Sequence, residues 1–415
     1  MAMTTAAAFA ESRPGTSVGV PGLGAVLPAA ADAYRMCARC VMDTSDPDIS
    51  FDANGVCSHC HRYDAVMGVA TLAPGDRTRR LEQTIDTLQR AGKGRPYDCV
   101  IGVSGGVDST YVALLVKRFG LRCLAVHVDN GWNTEIAVRN VERALRALRM
   151  DLHTVVLDWD AFRDVQLAFL RASTPDAEIP SDHAIAASVH HVAWELGVPY
   201  LVMGFNLATE LILPKAWSQG HMDWVYISSV HRAFGSGAKD PFPHFHGLSY
   251  LRYRYWAKYR VVNILELVDY SRDGAAAEIS RELGWTEYGG KHYESLYTRF
   301  FQGWILPRKF GFDKRRAHLS NQVLSGRKTR EAALAALEKD PYPSAALAEY
   351  DRAYVFRKLE ISESEFDRIL ALPPRRYQDY PNMANAPGYR TVGPAYNRLK
   401  DAARRVTWGV RARMR

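Results

Sequence analysis

Ser104-Gly105-Gly106-Val107-Asp108-Ser109-Thr110 follows the apolar run Cys99-Val100-Ile101-Gly102-Val103 and opens the amphipathic segment Tyr111 to Phe119. That order reads as a buried strand, a glycine turn and a helix. Paired glycines let backbone N–H groups close on an anion, and a helix N-terminus adds partial positive charge. Ser104, Ser109 and Thr110 offer hydroxyl donors, while the Asp108 carboxylate can hold a metal or orient the loop. A plain strand-to-helix turn capped by Ser and Asp is the alternative. The full string in this context favours a phosphate cradle, and no lysine follows its glycines as in G-x-x-x-x-G-K-[ST].

Outward from this stretch, strand-like and helix-like segments alternate. Strands are expected at Cys99–Val103, Cys123–Val128, Leu152–Leu157, Tyr200–Met203 and Val261–Leu265. Helices are expected at about Thr110–Phe119, Glu135–Leu148, Ala161–Ala172, Ala184–Leu196 and Gly274–Leu283. The alternation predicts an α/β fold, a doubly wound parallel sheet covered on both faces, with ligands at the carboxyl ends of the strands. The second strand runs into Asp129-Asn130-Gly131-Trp132, and the fourth into Gly204-Phe205-Asn206-Leu207-Ala208-Thr209-Glu210. Residues 214–260, aromatic and rich in Gly, Pro and His, read as a substrate-enclosing insertion.

Composition excludes some classes. The chain has 415 residues, 47% hydrophobic and 24% charged, which is ordinary for a globular protein. No apolar run reaches the ~18 residues of a membrane span. Residues 1–34 read as a disordered extension. Net charge is +8, but residues 399–415 alone carry +5, so the body is not a polyanion binder and nucleic acid is not favoured as a partner. On a helical wheel, Leu399, Ala402, Ala403, Val406, Val410 and Met414 face away from Lys400, Arg404, Arg411 and Arg415. Such a tail either docks on protein or lies on the anionic inner membrane surface as a peripheral contact.

Cys37-Ala38-Arg39-Cys40 and Cys57-Ser58-His59-Cys60 are two C-x-x-C pairs separated by sixteen residues. Each pair can present two thiolates to one metal, and Asn54-Gly55 signals a hairpin turn between them. The reading is one structural Zn²⁺ held by Cys37, Cys40, Cys57 and Cys60, in a cytoplasmic protein where disulfides are disfavoured. His59 and His61 are expected to stand outside the metal's shell.

The Ser104–Ser109 string resembles the SGGxDS pyrophosphate loop of the N-type (PP-loop) ATP pyrophosphatases. The resemblance implies a HUP-like, adenine nucleotide α-hydrolase type domain over 76–290, with ATP and Mg²⁺ as cofactors. It further implies nucleotide contacts from Ser104, Gly105, Gly106, Asp108, Ser109, Thr110, Asp129, Gly204 and Asn206. By similarity to ammonia-using NAD synthetases, Glu210 would hold Mg²⁺. Farther on, GGKHYES and TRFFQGWILPRKFGFDKRRAHLS resemble the N-acetyl sugar amidotransferases of lipopolysaccharide O-antigen and nonulosonic acid assembly. In that family an acetamido group on an N-acetylated, often nucleotide-linked sugar becomes an acetamidino group. The implied layout is a zinc ribbon-like module over 35–75, the ATP domain with its insertion, a substrate-binding helical region over 291–340, and a helical C-terminal extension over 341–415.

The chemistry is demanding because an amide carbon is a poor electrophile and its oxygen a poor leaving group. Adenylation of that oxygen cures both, and ammonia then displaces AMP. Asp108, Lys291, His292 and Glu294 are the candidate catalytic residues, the last two for proton handling. Arg299, Lys309, Lys314 and Arg315 are candidates for the anionic groups of the sugar substrate. The two cysteines outside the pairs, Cys99 and Cys123, fall on expected buried strands. The chain thus has no glutaminase centre, and a separate glutaminase subunit or free ammonia is expected to supply nitrogen. The alternative is a tRNA-modifying PP-loop enzyme of the thiolation or amidation type. Sulfur transfer would need a persulfide-bearing cysteine pair near the loop, which the spacing does not provide.

Overall fold

The computed structural model describes residues 27–28, 34–237, 242–245, 259–290 and 293–386. Five strands, β1 (Cys99–Gly102), β2 (Cys123–Asp129), β3 (Asp151–Val156), β4 (Tyr200–Met203) and β5 (Arg260–Asn263), form one parallel sheet in the order β3-β2-β1-β4-β5. The register sets Val100 beside Leu124 on one flank and Leu201 on the other. Apolar runs without polar alternation suit strands covered on both faces, and Cys99, Val100 and Ile101 are fully buried. The strand order reverses between β1 and β4. A crevice therefore opens there at the carboxyl ends, where both glycine-containing loops emerge.

Helices α1 (Ser58–Ala70), α2 (Pro74–Gly92), α3 (Val107–Arg118), α4 (Glu135–Leu148), α5 (Trp159–Arg171), α6 (Ile179–Glu195), α7 (Trp224–Phe234) and α8 (Arg272–Leu283) precede the C-terminal region. Ile101 packs with apolar residues of α3, α4 and α8, whereas Val100 and Leu124 pack with those of α5 and α6. Neighbouring residues of one strand thus face opposite layers, as the two-residue period requires. Two expectations need correction. The edge strand β3 is not covered, since Leu152 and Val156 are 44% and 71% exposed. Helix α6 begins at Ile179, one turn earlier than expected, because Pro180 in its first turn needs no hydrogen bond there.

Past the sheet, α9 (Leu296–Phe300) continues as a π-helix over Phe301–Phe310, with Pro307 inside it. Proline lacks the N–H of a regular α-turn, and the wider helix tolerates that loss. Then come α10 (Arg315–Leu324), α11 (Arg330–Glu338), α12 (Ala345–Leu359) and α13 (Glu363–Ala371). Val355, Leu359, Phe366 and Ile369 join the same core as α5 and α6. Residues 399–415 lie outside the described residues, as do Lys291 and His292.

The cysteine module is a small hairpin followed by α1. Gly55 takes φ +77°, and Phe51 bridges Cys57 antiparallel. Leu27–Pro28 pairs antiparallel with Ser50–Phe51, inside the segment expected to be disordered. Among the described residues no helix is long and apolar enough to cross a membrane.

Candidate active site

The phosphate-loop backbone is set by its glycines. Gly105 has φ +79°, and a Cβ there would stand 2.2 Å from the Ala137 carbonyl oxygen of α4. Gly106 caps α3, and its N–H donates to Ser104 Oγ at 3.3 Å. Ser104 Oγ and Ser109 Oγ lie 3.1 Å apart, and Ser109 Oγ accepts from Ser104 N at 3.2 Å. From behind, Trp285 Nε1 donates to Gly105 O at 2.8 Å. The loop is therefore held open at the head of α3, with its hydroxyls already oriented.

Above it lies a cleft of about 680 Å³. Ser104, Asp108, Ser109, Gly204 and Glu210 line it, five of the residues expected from sequence. Val126, Val128, Ile185, Val189, Val202 and Phe205 give it apolar walls. Sequence reasoning missed His127 and Asn133, which also line it. His127 Nδ1 is 2.9 Å from Val103 O, and its Nε2 is 3.3 Å from Asn133 Nδ2. The carbonyl fixes the tautomer, with Nδ1–H donating and Nε2 accepting. Their strand-end position was the available signal.

Acidic groups gather at the mouth. Asp108 accepts from the Tyr270 hydroxyl, whose pKa is pushed well up by burial and by the Asp108 charge. Glu266 accepts from the Leu207 N–H, and burial followed by the neighbouring Glu210 charge raises its pKa. The Asp108 and Glu210 carboxylates and the Ser104 and Ser109 hydroxyls line the same cleft, and oxygen donors of this kind suit Mg²⁺. The other expected contacts have structural partners. Asp129 Oδ1 accepts from Gly131 N at 2.9 Å as a strand-ending turn. Asn206 Nδ2 donates to Leu265 O at 3.4 Å and ties the ends of β4 and β5 together. Thr110 is buried in the first turn of α3.

Glu294 reaches the loop from the C-terminal region. It is buried, and its Oε1 would lie 3.3 Å from a Cβ on Gly106, where Tyr288 Oη would lie at 3.2 Å. Burial and then the Glu294 charge push the Tyr288 hydroxyl's pKa up. The backbone is laced as well. Thr134 N donates to Glu294 O and Leu296 N to Trp132 O, each at 2.9 Å.

The four basic candidates do not converge on this cleft. Arg299 makes a two-pronged ion pair with the fully buried Asp351, at 2.6 and 2.7 Å. Lys309 Nζ caps α13 through the carbonyls of Ile369, Leu370 and Leu372, and its burial lowers its pKa to about 8. Arg315 pairs with Asp313 and donates to Ala336 O and Lys339 O. These three bind the protein itself, in place of the substrate contact expected of them. Lys314 is different, for it enters a buried polar cluster around Glu178.

In the cysteine module, the Sγ–Sγ separations Cys37–Cys60, Cys40–Cys57 and Cys57–Cys60 are 3.7, 3.6 and 3.7 Å. A tetrahedron with Zn–S bonds of ~2.3 Å has edges near this length, so the donor set fits zinc. Backbone N–H groups of Arg39, Cys40 and Cys57 point at Cys37 Sγ, as thiolate ligands need. His59 and His61 instead bind Asp46 at 2.7 Å and Asp52 at 3.0 Å. Cys99 and Cys123 face each other across β1 and β2, both buried.

The chain thus joins a parallel sheet with a glycine turn at the head of α3 to a four-cysteine module and a helical C-terminal region. Residues 294–393 match the family described as LPS biosynthesis protein WbpG-like, C-terminal domain. The chain is similar to the glutamine-hydrolyzing GMP synthase of Thermus thermophilus, 46% identical over 70 residues, 17% of this chain and 13% of that protein. It is also similar to the 7-cyano-7-deazaguanine synthase of Methanospirillum hungatei, 31% identical over 144 residues, 34% of this chain and 60% of that protein. It thus spans less than two thirds of either relative. Among solved structures, the NMN synthetase from Francisella tularensis aligns over 70% of this chain and 98% of that one, at 15% identity and a TM-score of 0.33.

Proposed function

We propose that the protein is an ATP-dependent, AMP-forming amidotransferase acting on the acetamido group of an N-acetylated, nucleotide-linked sugar in surface polysaccharide biosynthesis. One observation carries this reading: Glu294, Ser295 and Leu296, where the WbpG-like match begins, are hydrogen-bonded and bridged to the loop after β2, beside the phosphate turn. The start of the WbpG-like match thereby packs beside the phosphate turn, with Glu294 next to Gly106. The apolar cleft walls take the adenine, and the Ser104–Ser109 turn takes the phosphates. Mg²⁺, held by Asp108 and Glu210, would neutralise charge on the leaving pyrophosphate.

In the first step the amide oxygen attacks the α-phosphorus and pyrophosphate leaves. In the second, ammonia forms a C–N bond to the activated carbon, and the C–O bond breaks with its electron pair going to AMP. The amidine product is a cation at neutral pH. On this reading Glu294, buried beside Gly106, would take the proton that ammonia loses on attack. No cysteine is placed for glutaminase or persulfide chemistry, since four lie in the zinc-type cluster and two in the sheet. This speaks for ammonia from a separate glutaminase and against the tRNA-thiolating alternative. Incubation with ATP, ammonium chloride and candidate UDP- or CMP-linked acetamido sugars should give AMP and a product in which NH replaces oxygen. AMP release independent of every acetamido sugar, or dependent on tRNA, would overturn the reading.

A further inference from the structure

The loop after β2 is gripped from the C-terminal region at a point to which the proposed function assigns no residue. Its backbone is shaped by its own side chains. Asp129 Oδ1 accepts from Gly131 N at 2.9 Å and Asn130 Oδ1 from Trp132 N at 3.1 Å, with Gly131 at φ +77°. Asn133 follows and lines the cleft, where its Nδ2 lies 3.3 Å from His127 Nε2. Trp132 is buried between Tyr297, at 5.0 Å between ring centroids, and Trp159, at 5.3 Å and edge-on.

Lys358 of α12, 227 residues beyond Gly131, closes this arrangement. Its Nζ donates to Gly131 O and stands 4.6 Å from the ring centroid of Trp159, 5.5 Å from that of Trp132 and 5.7 Å from that of Tyr354. Three aromatic rings and a carbonyl thus surround one ammonium, and cation–π attraction is strongest where the cation is desolvated. Among the described residues no carboxylate forms an ion pair with Lys358. A half-buried ammonium without a counter-charge costs desolvation that an apolar side chain of the same length would avoid. The fit is close as well. A Cβ on Gly131 would come within 3.1 Å of Lys358 Nζ and 3.0 Å of the Trp159 ring, so only glycine leaves room for the lysine here.

We propose that Lys358 is a positioning residue for ATP binding, which acts through Gly131 and Trp132 to hold Asn133 preformed in the cleft. The hydrogen bond fixes the Gly131 carbonyl, and the shared cage of rings fixes Trp132, the residue before Asn133. Order present before the ligand arrives need not be created on binding, so Lys358 acts on nucleotide affinity and leaves the chemical steps nearly untouched. The loop has a second anchor, the backbone bonds from Leu296 N to Trp132 O and from Thr134 N to Glu294 O. Loss of the ammonium therefore loosens the tip of the loop without unfolding it. The inference rests on the ATP-binding part of the proposed reading and is independent of the sugar.

Variants of the full chain test it. Lys358→Met keeps the length of the side chain and loses the charge, whereas Lys358→Arg keeps a cation that can face the rings. In calorimetry, Lys358→Met should weaken binding of an α,β-methylene ATP analogue about tenfold, the scale of one desolvated cation–π contact. Lys358→Arg should restore most of that loss. In an Asn133→Ala background, Lys358→Met should weaken the analogue no further, because the lysine acts through Asn133. In ligand-free protein, amide exchange over 129–134 should be severalfold faster in Lys358→Met, with exchange in β1 unchanged. Equal analogue affinity of wild type and Lys358→Met would overturn the inference, as would losses that multiply in the double variant. Wild type that binds no analogue, with exchange still faster in Lys358→Met, would overturn the ATP reading and leave Lys358 as the tether of this loop. Unchanged exchange over 129–134 would overturn the tether itself.

Discussion

A Cβ at Gly105 would stand 2.2 Å from the Ala137 carbonyl oxygen. The phosphate turn is therefore seated directly against the first turn of α4. Two constraints coincide at Gly105, since its φ of +79° also disfavours any L side chain. Gly105→Ala should lose ~3 kcal/mol or more of stability, part from the left-handed backbone and part from the clash. Urea unfolding with the melt followed by near-UV signal measures this, and a loss below ~1 kcal/mol would mean that α4 moves freely.

Asp108 lines the cleft and accepts from the Tyr270 hydroxyl, and on the proposed reading its charge faces the phosphates. Asp108→Asn keeps an acceptor for the Tyr270 hydroxyl, so folding should survive with little change in melting temperature. Sugar-dependent AMP formation should fall by ~10²-fold or more, because the charge facing the phosphates and metal is gone. Normal AMP formation would remove the catalytic reading of the loop.

One zinc ion per chain is expected on elemental analysis of the purified protein. Cys40→Ser should lower stability by several kcal/mol, on the order seen for lost structural metal ligands. Zinc-free protein with an unchanged melting curve is the opposing outcome.

The Arg299–Asp351 pair yields a prediction opposite to the one its basic neighbourhood suggests. Arg299→Ala would leave Asp351 buried and uncompensated, which costs ~3–5 kcal/mol. The effect should appear in unfolding, and the Arg299→Ala/Asp351→Ala double variant should cost less than the sum of the singles. A raised sugar KM at unchanged stability would return Arg299 to the substrate site.

Asp182, raised by burial against the pull of His221, titrates at about 7 in the fold and near ~3.9 when unfolded. Between those values the native state holds a proton that the unfolded chain has released, so this group makes stability fall as pH rises. Relative to wild type, Asp182→Asn should gain stability steadily from pH 4 to 7 and level off above. Parallel wild-type and variant curves over that window would show that Asp182 ionises freely.

The parallel-sheet domain was readable because its signals are local. The run Cys99–Val103, the glycine turn and the amphipathic α3 are contiguous, and all five strands lie within a few residues of their expected places. The two C-x-x-C pairs were equally plain. The side chains that surround the phosphate turn were not, since Tyr270, Tyr288 and Glu294 arrive on loops with no period to announce them. Basic residues misled for a related reason. Side-chain type does not reveal partner, and Arg299 finds Asp351 52 residues on, while Lys309 finds the last carbonyls of α13. The buried Asp176–Asp182–His221–Lys314 cluster draws on three separate stretches, so no spacing could disclose it.

The cysteine knuckle is tied to the C-terminal helices by two arginines. Arg330 donates to Cys37 O at 3.0 Å and Cys40 O at 3.1 Å, and Arg316 donates to Val41 O and pairs with Asp43, each at 3.0 Å. Arg316 is in the first turn of α10, two residues beyond Lys314. Loss of a metal from the four cysteines would therefore slacken the anchor of α10 and disturb Lys314, which pairs with the buried Glu178. A knuckle far along the chain thereby bears on the interior of the sheet domain.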